Sequence, residues 1–326
     1  MAKQKGIISI FFESLKIYCV NIDKFLLYML FPVLGQLLGL ILIFAPLYWM
    51  ANNISDLAGK YQVLNDISSM FLIILLVATP GLILFLKAFW EYIVAYGSLN
   101  SMTDGYLNTG RVYDFKSHRD VVLNKTLSFI AIWFLFGLFT IISLIPIFWI
   151  IGLIFFIYFI LIFQVFTFEN GLSPFGYFRR SFELIKGHFG KTFLLTVILF
   201  IFTYHLLPLG FSVLSDALNI TSTLSKFLEG WALAIPIRPI EAINFNPTPL
   251  MIAEAFIKQI IVMLIVGFTL PLRSICWTLW YNNLAELQDD KALNNTKSKN
   301  KKNTRRSKKE LDPEILRRAN LEDDEY

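Results

Sequence analysis

Three polar side chains inside long apolar runs are the residues of this chain best suited to chemistry: His205, Tyr204 and Gln36. Histidine changes charge near neutral pH, and an ionisable group at membrane depth is by default a candidate for proton transfer or ion binding. A neutral histidine hydrogen-bonded to a neighbouring helix would explain the residue as well. In this second interpretation Gln36, midway along the first apolar run, is the candidate partner of His205. The other histidines, His118 and His188, lie in polar segments.

Common catalytic and ligand-binding signatures are missing from the sequence. It has no Gly-rich phosphate loop, no catalytic-triad signature, no HExxH motif and no Cys–His spacing typical of metal sites. Cys19 and Cys276 lie in or beside apolar stretches, where we expect them to be buried as small hydrophobic residues. We therefore predict no cofactor and no metal, and favour a non-enzymatic protein.

A pair of glycines brackets Gln36. Gly35 and Gly39 are four residues apart, so they lie on one face of a helix. Glycines at this spacing let two helix backbones approach closely in a membrane. The pair predicts helix packing, either within one chain or between two copies.

Composition indicates a membrane protein rather than a soluble one. The 326 residues are 56% hydrophobic and 16% charged, whereas soluble domains have about 45–50% apolar and about 25% charged residues. A helix crosses a bilayer in about 20 residues. Six apolar runs are suitable, at residues 25–50, 70–97, 126–146, 147–168, 192–214 and 252–277. The sequence predicts an all-α fold, a six-span transmembrane bundle in residues 1–290.

The distribution of cations predicts the orientation of the bundle. Lys and Arg are concentrated before span one, between spans two and three, between spans four and five, and after span six. Cytoplasmic loops carry such an excess, so we expect both termini on the cytoplasmic side of the cytoplasmic membrane. Residues 291–326 are basic and then acidic, which predicts a disordered tail. Because the net charge of +5 is a property of this tail, it does not imply nucleic-acid binding.

Short amphipathic segments precede spans one, three and five. In residues 175–189 the apolar side chains follow helical spacing, and Arg179, Arg180, Glu183 and Lys186 occupy the rest of the helix. Such a helix should lie in the membrane interface, with its aromatic residues in the acyl chains and its cations near anionic headgroups. The residues predicted to contact lipid are Phe178, Arg179, Arg180, Phe182 and Lys186. Two interpretations remain open: three helix-plus-hairpin repeats, or the chance likeness of cationic inner loops.

Two runs resemble a known group of proteins. Residues 169–174 read Glu-Asn-Gly-Leu-Ser-Pro, and residues 180–189 read Arg-Ser-Phe-Glu-Leu-Ile-Lys-Gly-His-Phe. They resemble bacterial multi-pass proteins of the "glycerophosphoryl diester phosphodiesterase membrane domain" type and related uncharacterised families. The ending Trp-Tyr-Asn-Asn-Leu at 280–284 is similar to theirs, although Asn283 replaces an Asp and no Arg follows Leu284. The resemblance implies membrane topology and not phosphodiesterase activity, because this chain has no room for the soluble catalytic domain.

Three functions fit these observations to different degrees. The leading hypothesis is a non-catalytic membrane-organising or accessory protein that binds the bilayer, anionic lipid headgroups and other membrane proteins. It depends on the cation-rich inner surface and on an expected lack of charge deep in the spans. The alternative is a small-solute transporter or channel, favoured by repeated hairpins and kinked helices. A lipid-active membrane enzyme is the third hypothesis, and it would require polar groups that cluster once the helices pack.

Overall fold

The protein is built from helices throughout the residues that its computed structural model describes. These residues are 5–112, 114–233 and 247–309, with the backbone alone at 65 and at 291–309. The helices are α1 (Ile7–Val20), α2 (Ile22–Asn52), α3 (Ile54–Lys60), α4 (Ile67–Thr109), α5 (Phe115–Leu123), α6 (Thr126–Ser143), α7 (Trp149–Phe159), α8 (Ile162–Phe168), α9 (Pro174–Ile185), α10 (Phe189–Phe200), α11 (Leu207–Ala217), α12 (Ile220–Leu233), α13 (Pro249–Phe268) and α14 (Leu270–Lys309). A π-helical turn, Ile201–Leu206, joins α10 to α11.

Six helical stretches are long and apolar enough to cross a membrane. They are Ile22–Asn52, Ile67–Thr109, Thr126–Ser143, Pro146–Phe168, Phe189–Ala217 and Pro249–Asp290. The all-α prediction is confirmed, and the chain is a multi-pass membrane protein. A short helix, α1, α5 or α9, precedes each successive pair of these stretches.

The helices extend beyond several of the predicted spans. The helix of the second span, α4, ends only at Thr109, and the next residue, Gly110, adopts the left-handed conformation with φ 72°. Helices commonly end at such a glycine, whether or not the apolar run has ended before it. The helix α14 continues to Lys309 through the basic segment that was predicted to be disordered. No Gly or Pro interrupts the sequence between Pro271 and Pro313. Residues 310–326 lie outside the described residues. The sequence analysis also missed α12, which occupies the segment between the fifth and sixth stretches.

Close approach of α2 and α4 depends on glycine. A Cβ atom on Gly39 would lie 2.7 Å from the backbone nitrogen of Phe85, and one on Gly35 would lie 2.8 Å from Cβ of Ala88. Gly81 of α4 makes the reciprocal contact, since its Cβ would lie 2.7 Å from the carbonyl oxygen of Gly39. These three glycines form the α2–α4 contact within one chain.

The helix α1 has two apolar faces, of which one is buried and the other leaves Ile8 and Phe12 exposed. In α1, Ile10, Ser14 and Ile17 are buried. Bonds at both ends of α1 show that it runs antiparallel to α14: the amide of Lys5 donates to Asn283, and the hydroxyl of Tyr18 donates to the carbonyl of Phe268. The opposite face leaves Cys19 exposed, so the prediction that this thiol is buried was wrong, whereas Cys276 is buried.

Candidate functional site

A cluster of five buried polar side chains joins three of the long apolar stretches. Its members are Asn100 of α4, Gln164 and Thr167 of α8, and Ser274 and Thr278 of α14, each less than a tenth exposed. The oxygen Oδ1 of Asn100 accepts hydrogen bonds from Oγ of Ser274 at 2.5 Å, Nε2 of Gln164 at 3.1 Å and Oγ1 of Thr278 at 3.4 Å. The nitrogen Nδ2 of Asn100 donates to Oγ1 of Thr167 at 3.3 Å.

These five residues, the Asn100 cluster, hold helices together: the side-chain amide of Asn100 in α4 forms hydrogen bonds with residues of both α8 and α14. Oε1 of Gln164 is buried and has no hydrogen-bond partner among the described residues. None of these five residues was among the predicted site residues. The available signal was polar residues at helical spacing inside apolar runs: Gln164 and Thr167 are three apart, and Ser274 and Thr278 are four apart.

The run Glu169–Pro174 folds as a helix end, a turn and a helix start. The helix α8 ends at Phe168, and Gly171 takes a left-handed φ of 77° that glycine adopts without strain. The hydroxyl of Ser173 then accepts from the amide of Gly176 and caps α9, while Pro174 occupies the first turn. The motif therefore specifies a sharp turn between two helices.

An ion pair fixes this turn against α14. Nε of Arg180 donates to the carboxylate of Glu169 at 2.8 Å, and its Nη1 donates to Gln288 at 2.7 Å. The hydroxyl of Tyr281 donates to the same carboxylate at 2.9 Å. The charge of Arg180 is thus paired within the protein, and its contact with lipid stays a prediction.

The predicted lipid-contact residues of α9 divide between two surfaces. The ring of Phe178 packs against Phe159, and the ring of Phe182 packs against Tyr158, with centroids 5.0 Å and 4.5 Å apart. Arg179 points outward, with 82% of its side chain exposed and an ion pair to Glu183. Lys186 is also exposed. The second large residue of this outer surface is Phe175, which is 72% exposed.

The predicted contact between His205 and Gln36 is not formed. The side chain of Gln36 donates to the carbonyl of Pro32 in its own helix at 2.7 Å. His205 is exposed on the π-helical turn, and its ring packs edge-on against Phe200. Because the π-helical turn changes the angular position of the residues that follow, helical spacing could not give the direction of this side chain.

Tyr204 instead lies against Arg273, which was not among the predicted site residues. The guanidinium of Arg273 is 4.7 Å from the centre of the Tyr204 ring. Arg273 is 8% exposed and lies within the sixth apolar stretch, Pro249–Asp290. The sixth apolar stretch thus contains a buried cation. Arg273 lies inside the predicted run 252–277. The run was recognised by its average hydrophobicity, and one arginine among many apolar residues changes that average little.

A charged groove lies between α2, α4 and α5. Nη2 of Arg119 pairs with the carboxylate of Glu91 at 2.6 Å, and Lys87 lies 5.7 Å from the centre of the Phe31 ring. Lys116 lines the same groove and is exposed. Nearby, Lys125 donates to the carbonyl of Phe166, and its burial lowers the pKa of its ammonium group. This bond brings α5 and the end of α8 to the same end of the bundle, which we call the connector end.

Comparisons with protein-family models, curated proteins and solved structures found no match to the chain. Among the described residues no group of three or more His, Cys, Asp or Glu side chains could hold a metal ion.

Proposed function

We propose that the protein is a non-catalytic membrane-organising or accessory protein of the cytoplasmic membrane, with both termini cytoplasmic. Its α9 surface, defined as Phe175, Arg179 and Lys186, binds anionic lipid headgroups. The resemblance of residues 169–189 to multi-pass membrane proteins then reflects a shared turn and interfacial helix.

The exposed pair of Phe175 and Arg179 carries the proposal. The two residues are four apart on α9, so an aromatic ring and a guanidinium project together from one face. An exposed aromatic ring costs free energy in water, whereas in the interface it enters the acyl chains while the cation stays among the headgroups. The side chain of the neighbouring Arg180 is only 28% exposed, whereas Arg179 is exposed even in its pair with Glu183, so the outward cations of α9 are Arg179 and Lys186.

The proposal predicts that anionic lipid is retained through these two cations. The protein would be extracted in mild detergent from proteoliposomes of phosphatidylglycerol and phosphatidylcholine, and its bound lipids counted. The double variant Arg179→Gln, Lys186→Gln should bind phosphatidylglycerol up to about 30-fold more weakly, since each cation near the surface contributes about 1 kcal/mol. Retention of phosphatidylcholine should not change.

A matched variant removes two exposed cations from the opposite end of the bundle, Lys60→Gln with Lys226→Gln. The hydroxyl of Tyr48, near the end of α2, donates to the carbonyl of Gly230 in α12, which places these two cations on one side. This control should retain phosphatidylglycerol as the wild type does. Equal losses in the two double variants, or none in either, would show that α9 has no special role.

A small-solute transporter or channel is the second candidate, and a specific observation favours it. The fifth apolar stretch contains the π-helical turn Ile201–Leu206, and such turns often occur at functional sites. The turn adjoins the buried Arg273 through Tyr204. A measurement of solute flux into the same proteoliposomes distinguishes the two functions, because a membrane-organising protein does not transport solute.

A further inference from the structure

Arg273 is a buried cation without an acidic partner among the described residues. The ion pairs of those residues do not include it. Its Nη2 donates to the carbonyl of Val266 at 3.0 Å, at the carboxyl end of α13. Its Nη1 is buried and has no acceptor there. Removing a guanidinium from water is costly unless its hydrogen bonds and charge are both compensated.

Two aromatic side chains, Tyr204 and Tyr92, lie beside the guanidinium of Arg273. The Tyr204 ring lies over the guanidinium and compensates part of its charge. The hydroxyl of Tyr92 lies within hydrogen-bonding reach of Arg273 and of Tyr96, and its ring centre is 6.0 Å from that of Tyr96. Beyond Tyr96, whose ring centre is 5.2 Å from that of Trp133, the indole Nε1 of Trp133 is a second buried donor without a partner among the described residues. Two buried donors, Nη1 of Arg273 and Nε1 of Trp133, thus have no acceptor among the described residues.

We propose that Arg273 and Tyr92 bind an oxyanion of the phosphate type. An anion of this class supplies the two things that the region lacks, a negative charge and several acceptor oxygens. The guanidinium is suited to it because its planar fork of donors matches two oxygens at once. With Nη2 held by Val266, Nη1 is fixed in direction before the ligand arrives. The anion comes either from a lipid headgroup or from a free solute, and the chemistry is the same for both. This site is separate from the α9 surface.

Thermal unfolding of the purified protein tests the site with defined probes at constant ionic strength. The probes are inorganic phosphate, dihexanoyl phosphatidylglycerol and, as the neutral lipid, dihexanoyl phosphatidylcholine. Phosphate or phosphatidylglycerol should raise the unfolding midpoint in a saturable way, and phosphatidylcholine should not. A response to phosphate indicates a free anion as ligand, and a response to phosphatidylglycerol alone indicates a headgroup.

Two variants assign the effect to the site. Arg273→Gln should weaken binding by about 10- to 100-fold, and Tyr92→Phe, which keeps the ring, by about 2- to 10-fold. Lys116→Gln in the charged groove should bind the probe as the wild type does. If Arg273→Gln does not fold, the binding measured for Tyr92→Phe still tests the proposal. The proposal is overturned if neither anionic probe raises the midpoint, or if the rise is unchanged in a folded variant of Arg273 or Tyr92.

Discussion

Asn100→Leu should destabilise the folded protein by about 2–4 kcal/mol, because a leucine of similar size cannot accept the bonds that converge on Oδ1. Ser274 and Thr278 can each turn to a carbonyl of their own helix, but the amide of Gln164 would remain buried beside an apolar side chain. The measurement is thermal unfolding of the purified protein in detergent, followed by circular dichroism.

A control on the same helix separates the amide from burial alone. Thr103 is fully buried on α4, and its hydroxyl donates to the carbonyl of Leu99 in its own helix. Thr103→Val should therefore change stability by less than about 1 kcal/mol. Adding Gln164→Leu to Asn100→Leu should recover part of the loss, since the orphaned amide is gone. An Asn100→Leu variant as stable as Thr103→Val would contradict the role given to this cluster.

Gly39→Ala should separate α2 from α4 and cost about 1–3 kcal/mol or more. The added Cβ would lie 2.7–2.8 Å from N, Cα and Cβ of Phe85, and backbone atoms in a helix cannot move aside as a flexible side chain can. The same unfolding assay measures the loss. Purification by size exclusion should also show whether the variant still forms a compact particle.

Gly137→Ala is the matched control, because it too replaces a glycine inside a long apolar helix. Its Cβ would meet no atom within 4 Å, so it should be neutral or stabilising by up to about 1 kcal/mol. Equal behaviour of the two alanine variants would mean that α2 and α4 do not approach as closely as Gly39, Gly35 and Gly81 indicate.

Much of the architecture could be predicted because a membrane span depends on the average hydrophobicity of about 20 residues and not on the partner of any one of them. The bilayer requires about 20 apolar residues per crossing, and this requirement is visible in runs such as 126–146 without any knowledge of partners. The helix start at Ser173 and Pro174 was equally local, since a cap and its proline act within one turn.

The site residues could not be predicted in the same way, because their roles depend on which helix faces which. The role of Asn100 depends on donors from two other helices, Gln164 of α8 and Ser274 of α14, which are 64 and 174 residues away in sequence. Arg180 and Arg179 are neighbours in sequence, yet one pairs with Glu169 and is only 28% exposed, and the other points outward. The predicted partnership of His205 failed for the same reason, since pairing requires a direction that the π-helical turn changes.

The most direct test of the membrane architecture is cysteine accessibility in intact cells. Lys116 at the connector end and Lys60 at the opposite end are both exposed. Each would be replaced by cysteine, singly, in a Cys19→Ser, Cys276→Ala background and exposed to a membrane-impermeant maleimide. Lys60→Cys should react in intact cells, and Lys116→Cys only after permeabilisation. Reaction of both residues from the outside, or of Lys116→Cys alone, would contradict the six-crossing arrangement with a cytoplasmic connector end.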